Sequence, residues 1–447
     1  MRLEGRIAIF GEHDEATLAQ IRRAAEPDSV ARAVLCADGH KGYGVPIGGV
    51  MASHEYVSPT GVGYDIGCGN KAVLTDMPAA AARSRIDAIM DDIWSTISFG
   101  VGRRNAEPVD HELFDFDDDA WQIPAVRGLR DKAAAQLGTV GSGNHYVDVF
   151  ADEQDRVWVG VHFGSRGFGH GIATHYLAAG GAKDGMDVDP LMLRATGELG
   201  AEYIAAMALA GRYAYAGRDW VCDRVVRLLG AHVLEEVHNH HNFACYENHG
   251  GQDMWVVRKG ATPAWPGQRG FVGGSMGDAA VILEGVLDEE EFLNGGITPQ
   301  EHALFSTVHG AGRVMSRTAA AGKSKRRFVQ DPEAAEEQRD LQRRVKGMAQ
   351  GSEQRSATGA RIAELARRGE WEETVLKPGA ISPQEMSDWL QRERVVLRGG
   401  GLDEAPQAYR RLPNVLDHHA GTVRILHELR PLGVAMAGAG EVDPYRD

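Results

Sequence analysis

Residues 34–52 read VLCADGHKGYGVPIGGVMA, and residues 61–75 read GVGYDIGCGNKAVLT. Each stretch joins short apolar runs through glycine-rich turns, which predicts buried strands with loops between them. The apolar run VWVGVHFGSRG, residues 157–167, predicts another buried strand with His162 near its carboxyl end. Residues 191–244 instead follow a helical period. Because strands and helices do not alternate regularly, we predict an α+β fold rather than a doubly wound sheet.

The composition is that of an ordinary globular protein: of 447 residues, 43% are hydrophobic and 25% are charged. The 56 glycines lie mainly in short motifs, which indicates loops shaped around a ligand. The cysteines Cys36, Cys68, Cys222 and Cys245 do not resemble a disulfide framework in so long a chain. We find no signal-peptide layout at the start and no apolar run near the ~20 residues of a membrane span. We therefore expect a soluble, cytoplasmic protein with no membrane partner.

The formal net charge of -15 argues against non-specific nucleic-acid binding over the whole surface, although a local basic groove is compatible with it. Basic residues outnumber acidic ones within residues 322–346. We predict a charged helical hairpin over about 319–372, either as a solvated surface element or as a substrate contact. Without repeats or low-complexity linkers, residues 1–447 are expected to form a single domain, with a polar tail at 438–447.

Two glycine-flanked segments offer metal ligands. Asp65 and Cys68 are three residues apart in GVGYDIGCGN, so one loop can carry both to an ion, and a thiolate can bridge two ions. His145 follows the glycine-rich GTVGSGN, and His162 ends an apolar strand. Taken singly, each residue also has a structural reading, as a buried cysteine, a turn aspartate or a core histidine. Together these residue types can build a two-metal site.

A third source of ligands is the sequence HNHH at residues 238–241. If the helical period of residues 191–244 persists, Val233 and Leu234 face the core, and His238 and His241 share one face. That period does not choose between the two histidines. Mixed cysteine, histidine and aspartate ligands favour zinc by softness, with manganese, iron and cobalt also open.

The stretch STVHGAGRVMSR, residues 306–317, places His309 between small residues, with Arg313 and Arg317 following. Glycine lets a backbone approach a phosphate closely, and guanidinium groups bind phosphate oxygens in a fork. The stretch therefore suits a histidine nucleophile that meets a phosphate. The chain has neither a P-loop motif nor a strand followed by GxGxxG, so a nucleotide would bind outside those two schemes.

Taken in order, these motifs resemble the RtcB family of RNA-splicing ligases along nearly the whole chain. The resemblance rests on ADGHKGYGVPIGGV, GVGYDIGCGN, GSGNHYVDV, VHFGSRGFGH, HHNFA, VRKGA, GGSMG and HGAGRVMSR. It implies a single domain with mixed β-sheets around a central metal and nucleotide cleft, and an inserted charged helical hairpin.

The resemblance also implies roles for individual residues. His309 matches the catalytic histidine that becomes nucleotidylated, and the family's HN motif falls on His241-Asn242 rather than on His238. The implied metal ligands are Asp65, Cys68, His145, His162 and His241. The implied nucleotide contacts are Asn144, Tyr146, Asp148, Gly274, Ser275, Met276, His309, Gly310, Ala311, Gly312 and Tyr409. The implied RNA or phosphate contacts are Lys259, Arg313 and Arg317, and Asn144 also matches a phosphate contact.

The implied activity is a ligase that joins RNA 3′-phosphate or 2′,3′-cyclic phosphate ends to 5′-hydroxyl ends. GTP would be the co-substrate, two Mn²⁺ ions the cofactors, and RNA the partner, with an activating protein left open. The reaction would pass through a nucleotidyl-histidine and an RNA-pp-G intermediate.

This sequence departs from the family pattern around the expected guanine pocket. Asp148 replaces a longer glutamate, Gly273 replaces a proline, Ala280 stands where a serine is common, and Ala437 stands at a lysine position. The alternative reading is therefore an RtcB-like nucleotidyltransferase that caps 3′-phosphate ends, or uses another nucleotide, without efficient sealing. A non-catalytic RNA-end-binding protein and a simple binuclear metallohydrolase are further alternatives.

Overall fold

The computed structural model describes residues 1–105, 108–115, 118–183, 185–287, 296–349 and 352–438. Its strands are β1 (Arg2–Glu4), β2 (Ile7–Ile9), β3 (Arg32–His40), β4 (Ile47–Ser53), β5 (Tyr56–Val57), β6 (Gly69–Pro78), β7 (Tyr146–Ala151), β8 (Arg156–Phe163), β9 (Leu193–Arg194), β10 (Val233–His240), β11 (Asn242–His249), β12 (Gln252–Lys259), β13 (Ala261–Pro263), β14 (Arg269–Val272), β15 (Ala280–Gly285), β16 (Ser306–Val308), β17 (Lys323–Gln330), β18 (Gly369–Lys377), β19 (Val396–Gly400) and β20 (Val423–Gly438).

The α-helices span Glu15–Ala25, Pro59–Val62, Ala79–Ser84, Ile86–Thr96, Pro124–Arg127, Arg130–Gln136, Arg166–Ala179, Glu198–Leu229, Pro299–His302, Arg317–Ala321, Pro332–Val345, Glu353–Leu365, Pro383–Glu393 and Leu412–Asp417. None of the helices in the described ranges combines the length and apolar character needed to cross a membrane.

The chain divides into two compact units, one of Met1–Ser316 with the chain from Ile381 onward, the other of Arg317–Ala380. In the first unit the larger sheet has the strand order β10-β6-β8-β7-β20-β15-β14, and β19 pairs with β20 in parallel. Along β7, Val147 and Val149 pack in a core with the helices Ile86–Thr96 and Glu198–Leu229. The alternate residues of this strand, Tyr146, Asp148 and Phe150, point to the opposite face of the sheet, as strand alternation requires.

The second sheet of this unit has the strand order β1-β2-β3-β4-β12-β11. Strands β2 and β3 pair in parallel, and the other neighbouring strands of this sheet pair antiparallel. The two predicted strands of residues 34–52 are β3 and β4, which pair directly. The chain passes from the larger sheet to this one at His241, between β10 and β11. The predicted α+β class with mixed sheets is confirmed.

The predicted helix over residues 191–244 is wrong at its end. The helix Glu198–Leu229 stops at Gly230, whose φ of 67° is left-handed and whose N–H bonds the carbonyls of Arg227 and Val226. Residues 233–240 then form β10 against β6. Val233 and Leu234, expected in the core, are 44% and 63% exposed.

The Arg317–Ala380 unit contains the residues predicted as a charged helical hairpin. The helices Pro332–Val345 and Glu353–Leu365 are present, joined by an ion pair of 3.0 Å between Arg361 and Glu337. A two-stranded antiparallel sheet of β17 and β18 flanks them. Sequence periodicity missed this sheet because its strands are far apart in the chain and neither shows a clear alternation. Most of the predicted polar tail, residues 439–447, lies outside the described residues.

Candidate active site

The loop that carries Asp65 and Cys68 lies directly before β6. Gly67, between them, has a φ of 68°, and a Cβ there would lie 3.1 Å from the Cα of Gly211 and 3.2 Å from the Cβ of Ala214. Only glycine satisfies both the left-handed backbone and this close approach to the helix Glu198–Leu229. The Cys68 N–H bonds the Asp65 carbonyl at 3.1 Å. The glycines noted in the sequence therefore press a tight loop against the long helix.

Cys68 belongs to two groups of metal-ligating side chains. One group is Cys68, His162 and His241, and the other is Asp65, Cys68 and His145; within each, the ligand atoms lie within 4.8 Å of one another. The Sγ of Cys68 is 3.7 Å from His145 Nε2 and 3.8 Å from His162 Nε2. All five expected ligands are thus brought together, with the thiol shared between two sites.

Neighbouring groups fix which nitrogen of two histidines faces Cys68. His162 Nδ1 lies 2.7 Å from Asn70 Oδ1, and His145 Nδ1 lies 3.0 Å from the Val140 carbonyl. Both oxygens accept a hydrogen bond, so the proton sits on Nδ1 and the Nε2 lone pair is left for a ligand. Arg166 Nη1 is also 3.1 Å from His145 Nδ1, but it cannot donate to a nitrogen that already carries a proton.

The structure distinguishes His241 from His238. The His241 ring lies 5.1 Å from that of His162, and its backbone N–H bonds the Cys68 carbonyl at 2.8 Å. His238 instead receives a hydrogen bond of 2.8 Å from Arg218 Nε. His238 lies in β10 and His241 directly follows that strand, so the two side chains do not share one helical face.

The protonation states of the histidines and Asp65 suit metal binding, while burial raises the pKa of the Cys68 thiol well above its usual value. Burial holds the pKa values of His241 and His162 well below their usual value. Burial opposes ionisation of Asp65, but its close neighbours His145 and Arg166 outweigh it and lower the pKa to about 2. Neutral imidazoles and an ionised carboxylate are ready ligands at neutral pH.

Two buried polar atoms are suited to contact a cation. Among the described residues, His241 Nδ1 and Asp65 Oδ2 have no hydrogen-bond partner. Asp65 Oδ2 also lies 3.1 Å from His145 Nε2, and two ligands of one ion would approach each other in this way. The residues therefore fit a pair of divalent cations, although the donor set by itself does not choose the element.

His309, directly after β16, is held by a residue that sequence reasoning missed. Asp38 Oδ2 lies 2.6 Å from His309 Nδ1 and accepts the backbone N–H groups of His309 at 3.0 Å and Gly310 at 3.3 Å. The His309 ring is 5.0 Å from that of His241. Because Nδ1 donates to the carboxylate, Nε2 is left with its lone pair. The Asp-Gly-His sequence in the first glycine-rich turn was the available signal.

Asp38 is fully buried. Burial raises its pKa, but the close contact with His309 lowers it more, so the net shift is downward. Within the described residues its Oδ1 atom has no hydrogen bond. The carboxylate therefore depends on the His309 segment for its stabilisation.

The expected nucleotide contacts begin on one face of β7. Tyr146 stacks on His162 at 5.5 Å, and Asn144 is half-buried next to the ligand His145. In the described part of the chain, Tyr146 Oη and Asp148 Oδ1 are buried without a hydrogen bond. Burial alone raises the pKa of Asp148 well above its usual value. Two unsatisfied polar atoms, two residues apart in the strand, point to a ligand that would complete them.

The GGSMG turn lies close to this face. A Cβ on Gly273 would meet Tyr146 Oη, so a larger residue there would require the tyrosine side chain to move. Met276 packs in a cluster with Tyr146, Val434 and Met436. Ser275 Oγ donates to Asp278 Oδ2 at 2.8 Å. Gly274 lies in the same turn. Gly273 pairs with Gly310 as an isolated β-bridge, so the segment directly after His309, which consists of Gly310, Ala311 and Gly312, begins beside this turn.

The expected phosphate contacts already bind groups of the protein. Lys259 Nζ donates to the carbonyls of Tyr43 at 2.6 Å and Thr60 at 3.1 Å, and burial lowers its pKa to about 7. Arg313 donates to Tyr409 Oη at 2.8 Å and Glu404 Oε2 at 3.2 Å. Tyr409 is thus placed beside Arg313. Arg317 belongs to the other compact unit.

Fold and site together define an α+β protein with a paired histidine, cysteine and aspartate cluster beside a carboxylate-held histidine. A family model described as tRNA-splicing ligase RtcB matches residues 20–125 and 122–354. The chain therefore belongs to the RtcB family, which confirms the predicted recognition and the predicted enzyme class, an RNA ligase.

Several curated relatives support this membership. The RNA-splicing ligase RtcB of Escherichia coli strain K12 is 32% identical over 63% of this chain and 74% of its own length. The tRNA-splicing ligase RtcB of Archaeoglobus fulgidus is 28% identical over 92% of this chain and 89% of its own. The tRNA-splicing ligase RtcB of Thermococcus kodakarensis is 27% identical over 97% of this chain and 95% of its own length.

Proposed function

We propose that this protein is a GTP- and Mn²⁺-dependent RNA ligase that joins 3′-phosphate or 2′,3′-cyclic phosphate ends to 5′-hydroxyl ends. The observation that carries the proposal is the placement of His309, 5.0 Å ring to ring from the candidate metal ligand His241, with its Nδ1 held by Asp38. A neutral histidine nitrogen is thereby presented beside a site for two cations. Residues 1–447 would act as a single catalytic domain that includes the 319–372 insertion.

In the first step, His309 Nε2 attacks the α-phosphorus of GTP. A P–N bond forms, the bond to the bridging oxygen breaks, and pyrophosphate leaves with the electron pair. The ring then carries positive charge with its proton still on Nδ1, and the Asp38 carboxylate stabilises that charge at 2.6 Å. Divalent cations, when bound by Asp65, Cys68, His145, His162 and His241, would supply positive charge beside the phosphates.

In the second step, an oxygen of the RNA 3′-phosphate attacks the nucleotidyl phosphorus and releases His309, giving RNA-pp-G. The RNA 5′-hydroxyl then attacks the 3′-phosphate, and GMP leaves. A 2′,3′-cyclic phosphate would first be hydrolysed to the 3′-phosphate in the same site. Asn144, Lys259, Arg313 and Arg317 would bind phosphates, and Lys259 and Arg313 would exchange protein oxygens for phosphate oxygens when RNA arrives.

The nucleotide pocket would contain Tyr146, Asp148, the turn Gly274, Ser275 and Met276, and Tyr409. Ala437 packs in the core with Val147 and Val149 and offers no group to the base, and Asp148 is short and unsatisfied. These two features favour the second candidate function, a nucleotidyltransferase that caps 3′-phosphate ends or uses another nucleotide. Each missing base contact removes roughly 1–3 kcal/mol of discrimination.

The test is covalent labelling of the purified chain by each α-labelled nucleoside triphosphate with Mn²⁺, followed by ligation of an RNA pair with 3′-phosphate and 5′-hydroxyl ends. An acid-labile adduct is expected in the wild type and in His54→Ala, an exposed histidine control, and should be absent in His309→Ala. Labelling and sealing with GTP support the ligase. An adduct without sealing supports the capping enzyme or a requirement for an activating protein, and an adduct that survives His309→Ala contradicts the proposal.

A further inference from the structure

A fully buried arginine lies beneath the loop of the candidate metal ligands. Arg218, on the helix Glu198–Leu229, has no exposed surface. Its Nη1 donates to the carbonyl of Gly67 at 2.9 Å and to the carbonyl of Phe163 at 2.6 Å. Gly67 directly precedes Cys68, and Phe163 directly follows His162. One guanidinium therefore joins the two backbone segments that carry two ligands of the same group.

The packing of the helix brings Arg218 to this position. The loop at Gly67 rests against Gly211 and Ala214, and Arg218 lies one helical turn beyond Ala214 on the same face. The contact leaves no room for a side chain at Gly67. Because the loop and helix are in close contact, a change in the Arg218 side chain would be transmitted to the loop rather than absorbed by a gap.

A second residue fixes Arg218. The Nε of Arg218 donates to His238 Nε2 at 2.8 Å, so Nε2 holds a lone pair and the ring proton is on Nδ1. His238 Nδ1 lies 3.3 Å from Asp219 Oδ1. The His238 ring stacks on Tyr215 with centroids 3.9 Å apart, and the Arg218 guanidinium lies 4.7 Å from the centre of that Tyr215 ring. His238 is therefore held in one orientation, with its acceptor aimed at Arg218.

The charge of Arg218 is not neutralised by its direct partners. Two carbonyls and a neutral imidazole accept its hydrogen bonds, and its Nη2 atom has no hydrogen bond among the described residues. A buried charge without a paired anion is costly, and proteins retain one where it serves a specific purpose. The carboxylates near Arg218 include Asp219 and the candidate ligand Asp65.

We propose that Arg218 and His238 are a positioning pair for the metal site: Arg218 sets the separation of the segments carrying Cys68 and His162, and His238 orients Arg218. The inference rests on the proposed function, because it requires those two side chains to bind metal. It also gives a role to His238, which the sequence left open as a metal ligand. His238 contacts Arg218, and Arg218 contacts the segments that carry the ligands.

The experiment measures binding of Co²⁺ alone to the metal-free full chain, in the absence of nucleotide and RNA. Thiolate-to-cobalt charge-transfer absorption reports the Cys68 ligand, and a titration of that absorption gives the affinity. The variants are Arg218→Lys, which shortens the clamp, and His238→Leu, which removes the acceptor. His238→Gln keeps an acceptor near the Nε2 position, and Arg224→Ala removes an exposed arginine from the same helix.

We expect Arg218→Lys and His238→Leu to weaken Co²⁺ binding by roughly 10-fold to 100-fold, the usual effect of losing a group that orients metal ligands. Their charge-transfer absorption at saturation should also be altered. His238→Gln and Arg224→Ala should stay within about 3-fold of the wild type. Thermal unfolding of each metal-free variant shows whether it is folded.

The outcomes separate the inference from the function beneath it. If the wild type binds no Co²⁺ with charge-transfer absorption, the proposed metal site is wrong and the positioning role is lost with it. If the wild type binds and Arg218→Lys and His238→Leu bind equally well with the same spectrum, the positioning role alone is wrong. It is also wrong if His238→Gln loses as much affinity as His238→Leu, because the acceptor would then not matter.

Discussion

Asp38 Oδ2 lies 2.6 Å from His309 Nδ1, across 271 positions of the chain. The same oxygen also accepts the backbone N–H groups of His309 and Gly310. One carboxylate therefore fixes the tautomer of the ring and the path of the backbone that carries it. This double role makes Asp38 a positioning residue for the proposed nucleophile.

Replacing the carboxylate should slow nucleotidylation while largely preserving the fold. In Asp38→Asn, the amide oxygen can still accept a hydrogen bond but brings no charge to stabilise the ring after attack. We expect the rate of adduct formation to fall at least about 100-fold. Single-turnover labelling with α-labelled GTP measures it, with Asp253→Asn, an exposed residue, as the control. A rate within a few-fold of the wild type would remove Asp38 from the mechanism.

The shared position of Cys68 predicts an uneven loss of metal across variants. Cys68→Ala removes a ligand from both groups, whereas His145→Ala and His162→Ala each remove one ligand from a single group. We expect Cys68→Ala to lose both Mn²⁺ ions and all labelling, and each histidine variant to retain about one ion. Metal analysis after dialysis measures the stoichiometry, and circular dichroism reports folding. Full labelling of Cys68→Ala would exclude Cys68 from the site.

Asp148 should make stability depend on pH with an unusual sign. Because burial raises its pKa, the folded state holds a proton that the unfolded chain releases above a pKa of about 3.9. The free energy of unfolding should then fall as pH rises above about 4, by at most about 1.4 kcal/mol per pH unit from this group. Asp148→Asn should remove that contribution and stabilise the metal-free protein at neutral pH.

Urea denaturation of the metal-free wild type and Asp148→Asn, compared at several pH values, measures this effect. The difference in unfolding free energy between the two proteins should widen with rising pH until the folded-state pKa of Asp148 is reached. A constant difference would show that Asp148 is already ionised in the folded protein.

The altered pocket predicts a gain of nucleotide preference on restoring a longer carboxylate. The variant Asp148→Glu should favour GTP over the other triphosphates by at least about 10-fold more than the wild type does, since each buried polar contact contributes roughly 1–3 kcal/mol. Competition labelling with unlabelled nucleotides measures the preference. Unchanged competition would show that the base binds elsewhere.

Local sequence was sufficient for several elements. The apolar run that contains His162 predicted β8, and the glycine-rich stretches predicted β3, β4 and the loop of Asp65 and Cys68. These predictions hold because alternation and glycine content report directly on backbone conformation. The same rule failed after Gly230, where the apolar residues Val233 and Leu234 continue a helical period in a strand. A single left-handed residue ended the helix there, and periodicity does not contain that information.

What the sequence determined by itself is the set of chemical groups: a thiol, histidines and a carboxylate on short, glycine-shaped loops, and a histidine among residues that suit phosphate. Only the tertiary structure decided their partnerships. It placed Cys68 in both groups, selected His241 over His238 by geometry, brought Asp38 to His309, and put Arg218 under the metal loop. The physical reason is that each partnership joins side chains from distant segments. Sheet pairing and helix packing set those separations, and no local pattern records them.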